Sequence, residues 1–136
     1  MRVLLFGATG NLGSRLVPAL LSHKHQVVVY VRSERKLRQL LPSTLLSRIT
    51  IVTGDARDAN AIKDALVDNK SDALVNSAGL ASIFPWEAPK QQEIGHAVTT
   101  AAVNASKQLG YRIRAWFLGG MTALDVPTLP GTPIVR

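Results

Sequence analysis

Cysteine is absent from the 136 residues, which excludes a disulfide scaffold, a cysteine-ligated zinc or iron–sulfur site and a thiol nucleophile together. Long apolar runs are missing too: the longest, Val27 to Val31, is far short of the ~20 residues that span a bilayer. A soluble, cytoplasmic chain with no membrane partner is therefore expected. The length fits one domain, and a hydrophobic fraction of 46% excludes wholesale disorder. Acids are scarce in one part of the chain only. Residues 1–54 carry Arg2, Arg15, Lys24, Arg32, Arg35, Lys36, Arg38 and Arg48 against the single acid Glu34, whereas residues 55–136 balance. The formal charge of +7 thus sits in the first 54 residues. Three readings fit that asymmetry: a nucleic-acid surface, a site for a small phosphorylated ligand, or a mitochondrial presequence, because residues 1–33 contain no acid.

What is present is an alternation of short apolar runs and helical periods. Val3–Phe6, Val27–Val31, Ile49–Val52, Ala73–Val75 and Arg112–Leu118 read as strands, the first ones buried on both faces. Between them, Leu12, Leu16, Val17, Leu20 and Leu21 recur at helical spacing, with Pro18 as a point of kinking. Glu34 to Leu41 is helix-prone up to Pro42, and Asp58 is placed to cap a helix carrying Ile62, Ala65 and Leu66. A long helix carries Ile94, Ala97, Val98, Ala101, Ala105 and Leu109 and closes at Gly110. Such alternation predicts one α/β domain, a parallel sheet wound by right-handed crossovers.

The chemical signal lies where the first strand meets the first helix, in Gly7-Ala8-Thr9-Gly10-Asn11-Leu12-Gly13. A glycine triplet alone is weak, but after a buried strand and before an apolar helix it is the dinucleotide fingerprint. Gly7 allows the turn, Gly10 admits a pyrophosphate to the backbone, and Gly13 lets the helix lie close on the sheet. Backbone N–H groups near Asn11 and Leu12 would then face the phosphates. A presequence is excluded by the same residues, since its removal would delete strand and loop.

Cofactor choice follows from the end of the second strand. An acid is expected there for the ribose hydroxyls of NAD, and Val27 to Ser33 contains none. Arg32-Ser33, with Arg35 and Lys36 a turn later, suits a 2′-phosphate, so NADP(H) is favoured over NAD(H). Arg35 and Lys36 also fit a solvated helix face. Asp55 and Ala56 follow the third strand, where the carboxylate either accepts from an adenine amino group or closes a turn. Asn76, Ser77, Ala78 and Gly79 follow the fourth, where small residues let ribose and nicotinamide pass close to backbone. Ligands of doubly wound sheets bind beyond these carboxyl ends.

These four segments resemble the atypical short-chain dehydrogenase/reductase superfamily, and most nearly its NAD(P)H-binding, NmrA-like branch, over about residues 1–120. The resemblance implies a three-layer Rossmann fold of sheet order 3-2-1-4-5 in residues 1–120, with residues 121–136 an irregular Pro-rich tail. It also implies a Tyr-x-x-x-Lys pair and a serine or threonine after the fifth strand. Neither Tyr30 nor Tyr111 has lysine four residues on, and Thr122 is the one hydroxyl near that position. Relatives continue through a sixth strand and a substrate-binding part, so a shortened chain with its fifth strand open to self-association is expected. The resulting expectation is an NADP(H)-binding module; the alternative is an active NADP(H)-dependent oxidoreductase on a small carbonyl. Nucleic acid ranks last, because stacking aromatics do not interleave with the basic residues. Trp116 is expected in the core, and Trp86 either in a substrate cleft or packed.

Overall fold

Residues 3–6 and 27–31 are apolar without alternation, so as strands they demand cover on both faces. In the computed structural model they receive it. The structure describes residues 1–78 and 88–118 and the strands at 125–126 and 129–133. The strands β1 (Arg2–Phe6), β2 (Gln26–Val31), β3 (Ile49–Thr53), β4 (Ala73–Asn76) and β5 (Arg114–Phe117) form one parallel sheet in the order β3-β2-β1-β4-β5. This is the expected Rossmann order. Leu4 and Phe6 of β1 point into one core with Ile62, Leu66, Val98 and Ala101, whereas Leu5 points into the other with Val17, Leu21 and Leu37. Helices α4 (Ala59–Asp68) and α5 (Ala88–Leu109) thus cover one face, and α1 (Asn11–Ser22) and α2 (Glu34–Leu40) the other; the short α3 (Ser43–Leu46) precedes β3.

Local signals set the boundaries. Asp58 caps α4, its Oδ1 accepting from the amides of Asn60 and Ala61, both at 3.1 Å. Ser33 caps α2, its hydroxyl accepting from the Lys36 amide. Gly110 closes α5 in the left-handed region, φ +79°. Pro18 sits inside α1 without ending it, on the exposed side. The helix α3 was not expected; Pro42 breaks α2 but also serves as its N-cap.

Two expectations change. Trp116 is 50% exposed rather than core, and all of β5 is exposed. The cause is position: β5 is the outermost strand, and among the described residues no strand pairs with its free edge. The segment expected to be irregular contains β6 (Asp125–Val126) and β7 (Leu129–Pro133), paired antiparallel in a separate ribbon. No helix among the described residues is long and apolar enough to cross a membrane.

Candidate functional site

The loop from β1 into α1 is fixed by what its glycines lack. Gly7 has φ +80°, and a Cβ there would lie 2.6 Å from the Ser77 carbonyl carbon and the Ala78 amide. At Gly13 a Cβ would overlap the Gly7 carbonyl and lie 2.9 Å from Ala8 Cα, so the first turn of α1 rests directly on the loop. Gly10 differs. Its amide donates to Gly7 O at 3.0 Å, and a Cβ would meet only that oxygen, at 3.3 Å. Gly10 is also the N-cap of α1; it makes no side-chain capping bond, and the first turn contains no acid. The amides of Asn11, Leu12 and Gly13 therefore open onto a surface with neither Cβ nor carboxylate to oppose an anion. Asn11 and Leu12 are exposed, Thr9 is half-buried and Ala8 is buried. This cradle fits a pyrophosphate.

Beside it, β2 delivers Arg32, exposed and the residue immediately before the α2 cap. Glu34 is bound by Arg38 at i,i+4, so the nearest acid is already paired. Among the described residues Arg32, Arg35 and Lys36 have no ion pair. Three exposed cations without an ion pair thus follow β2, with the Ser33 hydroxyl committed to capping.

The next segment holds an arrangement that the sequence does not announce. Asp55 Oδ1 accepts from the Arg57 amide at 2.9 Å and from Arg57 Nε at 3.2 Å, while Oδ2 accepts from Arg57 Nη2 at 3.0 Å. Arg57 Nη1 also reaches Glu93 of α5 at 3.9 Å. The Arg57 side chain and amide hold the Asp55 carboxyl below the usual carboxylate range, and Arg32 adds to this from across the cleft. Behind the loop, Tyr30 OH donates to Asp55 O at 3.1 Å and its ring fills the space a Cβ at Gly54 would need. Burial pushes Tyr30 up to about 12, with Asp58 and Asp55 adding to the effect, so it remains a donor at neutral pH. Ala56 packs partly against the core. Tyr30 was not expected near the site, whereas Arg57 lies in the segment Gly54–Asp58 that carries part of the family resemblance. The one signal for Arg57 was an acid followed two residues later by a base, a local turn motif.

After β4, Asn76 and Ser77 are buried and serve the backbone. Ser77 Oγ donates to Phe6 O at 2.6 Å, and Asn76 Oδ1 accepts from the Ala78 amide at 3.1 Å. Ser77 thus ties the end of β4 to that of β1 and Asn76 closes the turn that follows, leaving half-buried Ala78 beside Gly7. Gly79, Trp86 and Thr122 lie outside the described residues. Residues at positions 7–13, 32–36, 55–57 and 76–78 thus gather at the carboxyl ends of β1 to β4. A separate open groove of about 560 Å³ runs along α5 and β5, lined by Val103, Tyr111, Ile113 and Phe117. Among the described residues no group of His, Asp and Glu could hold a metal ion.

Comparison with known proteins adds four findings. Residues 7–129 match the family described as NAD(P)H-binding. UDP-glucose 4-epimerase of Neisseria meningitidis serogroup B is 31% identical over 85 residues, covering 60% of this chain and 25% of the epimerase. Phenylcoumaran benzylic ether reductase IRL1 of Ginkgo biloba is 34% identical over 86 residues, covering 60% of this chain and 28% of the reductase. These matches span about a quarter of each relative's length. Among solved structures, the Bordetella bronchiseptica enzyme WbmG in complex with NAD and UDP superposes with a TM-score of 0.72 at 22% identity, over 99% of this chain and 42% of that one. That likeness is one of fold.

Proposed function

Because the chain belongs to the NAD(P)H-binding family of atypical short-chain dehydrogenases/reductases, we propose that residues 1–120 form an NADP(H)-binding module, in its NmrA-like branch, working in the cytoplasm. The observation that carries the cofactor preference is Arg32. It stands at the tip of β2 where an acid would hold the NAD ribose, with no ion pair among the described residues and the neighbouring Glu34 already bound to Arg38. A guanidinium there meets a 2′-phosphate in a fork; a carboxylate would repel it.

The remaining roles are those the sequence suggests. Gly7, Thr9, Gly10, Asn11, Leu12 and Gly13 bear the pyrophosphate, Arg32, Ser33 and Lys36 the 2′-phosphate side, and Asp55 and Ala56 the adenine. Asn76, Ser77, Ala78 and Gly79 border the ribose and nicotinamide. The bound dinucleotide would supply hydride chemistry; the chain's own residues bind and orient it. The 136 residues contain no Tyr-x-x-x-Lys, so proton transfer to a substrate is not assigned to them, and Thr122 is left as the one nearby hydroxyl candidate. The free edge of β5, with Trp116, Phe117 and Leu118 exposed, is the surface through which copies would self-associate. Titration of the chain with NADP⁺ and NAD⁺ tests the reading: NADP⁺ binding tighter by about tenfold or more supports it, and equal or absent binding overturns it.

A further inference from the structure

The Asp55–Arg57 pair has a geometry that limits what Asp55 can bind. A carboxylate offers about four acceptor positions, two on each oxygen. Here Arg57 takes three of them: its amide and Nε on Oδ1, and Nη2 on Oδ2. One position remains, on Oδ2, and it is open to solvent, because the Asp55 side chain is 47% exposed. An acid clamping a ribose diol needs two free acceptors. An acid with one accepts a single N–H, the demand made by the exocyclic amine of a purine. The three bonds also fix the plane and rotamer of the carboxylate, and Tyr30 OH anchors the same residue through its carbonyl. Both side chains are about half exposed, where ion pairs contribute little to stability.

We propose that Arg57 is a positioning residue for base selection, occupying three acceptor sites of Asp55 so that the fourth recognises the 6-amino group of adenine and discriminates against 6-oxo purines. The proposal rests on the cofactor reading above, in which Asp55 already meets the adenine, and adds to it the role of Arg57. A 6-oxo purine places a carbonyl oxygen where the donor should be, so a fixed carboxylate repels it. Without the guanidinium, Asp55 keeps only the residue-57 amide on Oδ1, its Oδ2 is no longer held in one plane, either base is met through water, and selectivity decays. Arg57 touches neither base nor phosphate in this scheme; it acts through Asp55.

Calorimetric titration of the full chain with NADP⁺ and with its hypoxanthine analogue tests this, in the wild type and in Asp55→Ala, Arg57→Ala and Arg57→Lys. The wild type should prefer the adenine form by roughly tenfold, the scale of one hydrogen bond to a charged acceptor. Arg57→Ala and Asp55→Ala should each reduce that ratio to about twofold or less, with thermal melts near wild type to show that the fold is intact. Arg57→Lys keeps the charge but not the fork, and should restore the ratio only in part. Full selectivity in Arg57→Ala, or full rescue by lysine, overturns the positioning role. A wild type that binds NADP⁺ but has no base preference overturns this inference and leaves the cofactor reading standing. A wild type that binds neither dinucleotide overturns both.

Discussion

Replacing Gly13 by alanine sets two effects of opposite sign against each other. Alanine is the better helix former by about 1 kcal/mol, and Gly13 lies in the first turn of α1, so propensity alone predicts a gain. Sterics predict a loss. The new Cβ would overlap the Gly7 carbonyl oxygen, lie 2.5 Å from its carbon and 2.9 Å from Ala8 Cα, all backbone atoms that cannot rotate away. Carbon atoms rest at about 3.5–4.0 Å, so the helix must retreat by about 1 Å from a loop whose other side abuts Ser77 and Ala78. Overpacking of this kind costs about 1–3 kcal/mol, and a backbone collision belongs at the upper end, leaving a net loss of about 2 kcal/mol. For a domain of this size that is a fall in Tm of roughly 8 °C. A thermal melt reads it directly. Gly10→Ala is the control: φ is −88° and the nearest atom to its Cβ is at 3.3 Å, so the melt should stay within about 2 °C of wild type. Stabilisation by NADP⁺ should nevertheless be lost in Gly10→Ala, because the methyl group stands where the pyrophosphate approaches. A Gly13→Ala protein as stable as wild type would refute the close packing of α1 on the loop.

Two further outcomes concern the scaffold behind the site. Asp58→Ala removes the acceptor for two α4 amides and should cost about 1 kcal/mol, a Tm lower by roughly 4 °C in a melt at neutral pH. Tyr30 is raised in the folded chain to about 12, above its unfolded value of 10.0, so the native state holds the proton that the unfolded state has released. Its contribution to stability is complete below pH 10 and declines as pH rises towards about 12. Ultraviolet titration of tyrosinate should show Tyr30 ionising well above pH 10, and its ionisation near pH 10 would contradict its burial.

The five strands were legible because each carries its own signal, whereas their order came from the family resemblance. Unbroken apolar runs in β1 and β2 require two covered faces, and the helical periods between them supply the cover. The fingerprint glycines were legible for a stronger reason: a Cβ at Gly7 or Gly13 would lie under 3 Å from backbone atoms, which permits no other residue. Trp116 misled because alternation within a strand reports which residues share a face, not whether that face is covered. Whether a strand is central or at an edge depends on its partners, which its own residues do not encode. Ser77 illustrates a different gap. Its smallness suggested room for a ligand, whereas its hydroxyl is spent on Phe6 O, a bond between strands 71 positions apart in the chain. Arg57 received no role of its own because a charged loop residue is ordinarily a solvated one; only the three-dimensional fork onto Asp55 gives it one.

The central claim is that the carboxyl ends of these strands bind NADP(H), with Arg32 choosing the 2′-phosphate. The most direct test is paired calorimetric titration of wild type and Arg32→Ala with NADP⁺ and NAD⁺. The account predicts that wild type prefers NADP⁺, and that the variant loses about tenfold or more in NADP⁺ affinity while NAD⁺ affinity barely changes. Equal losses for both dinucleotides, or no loss for either, would contradict it.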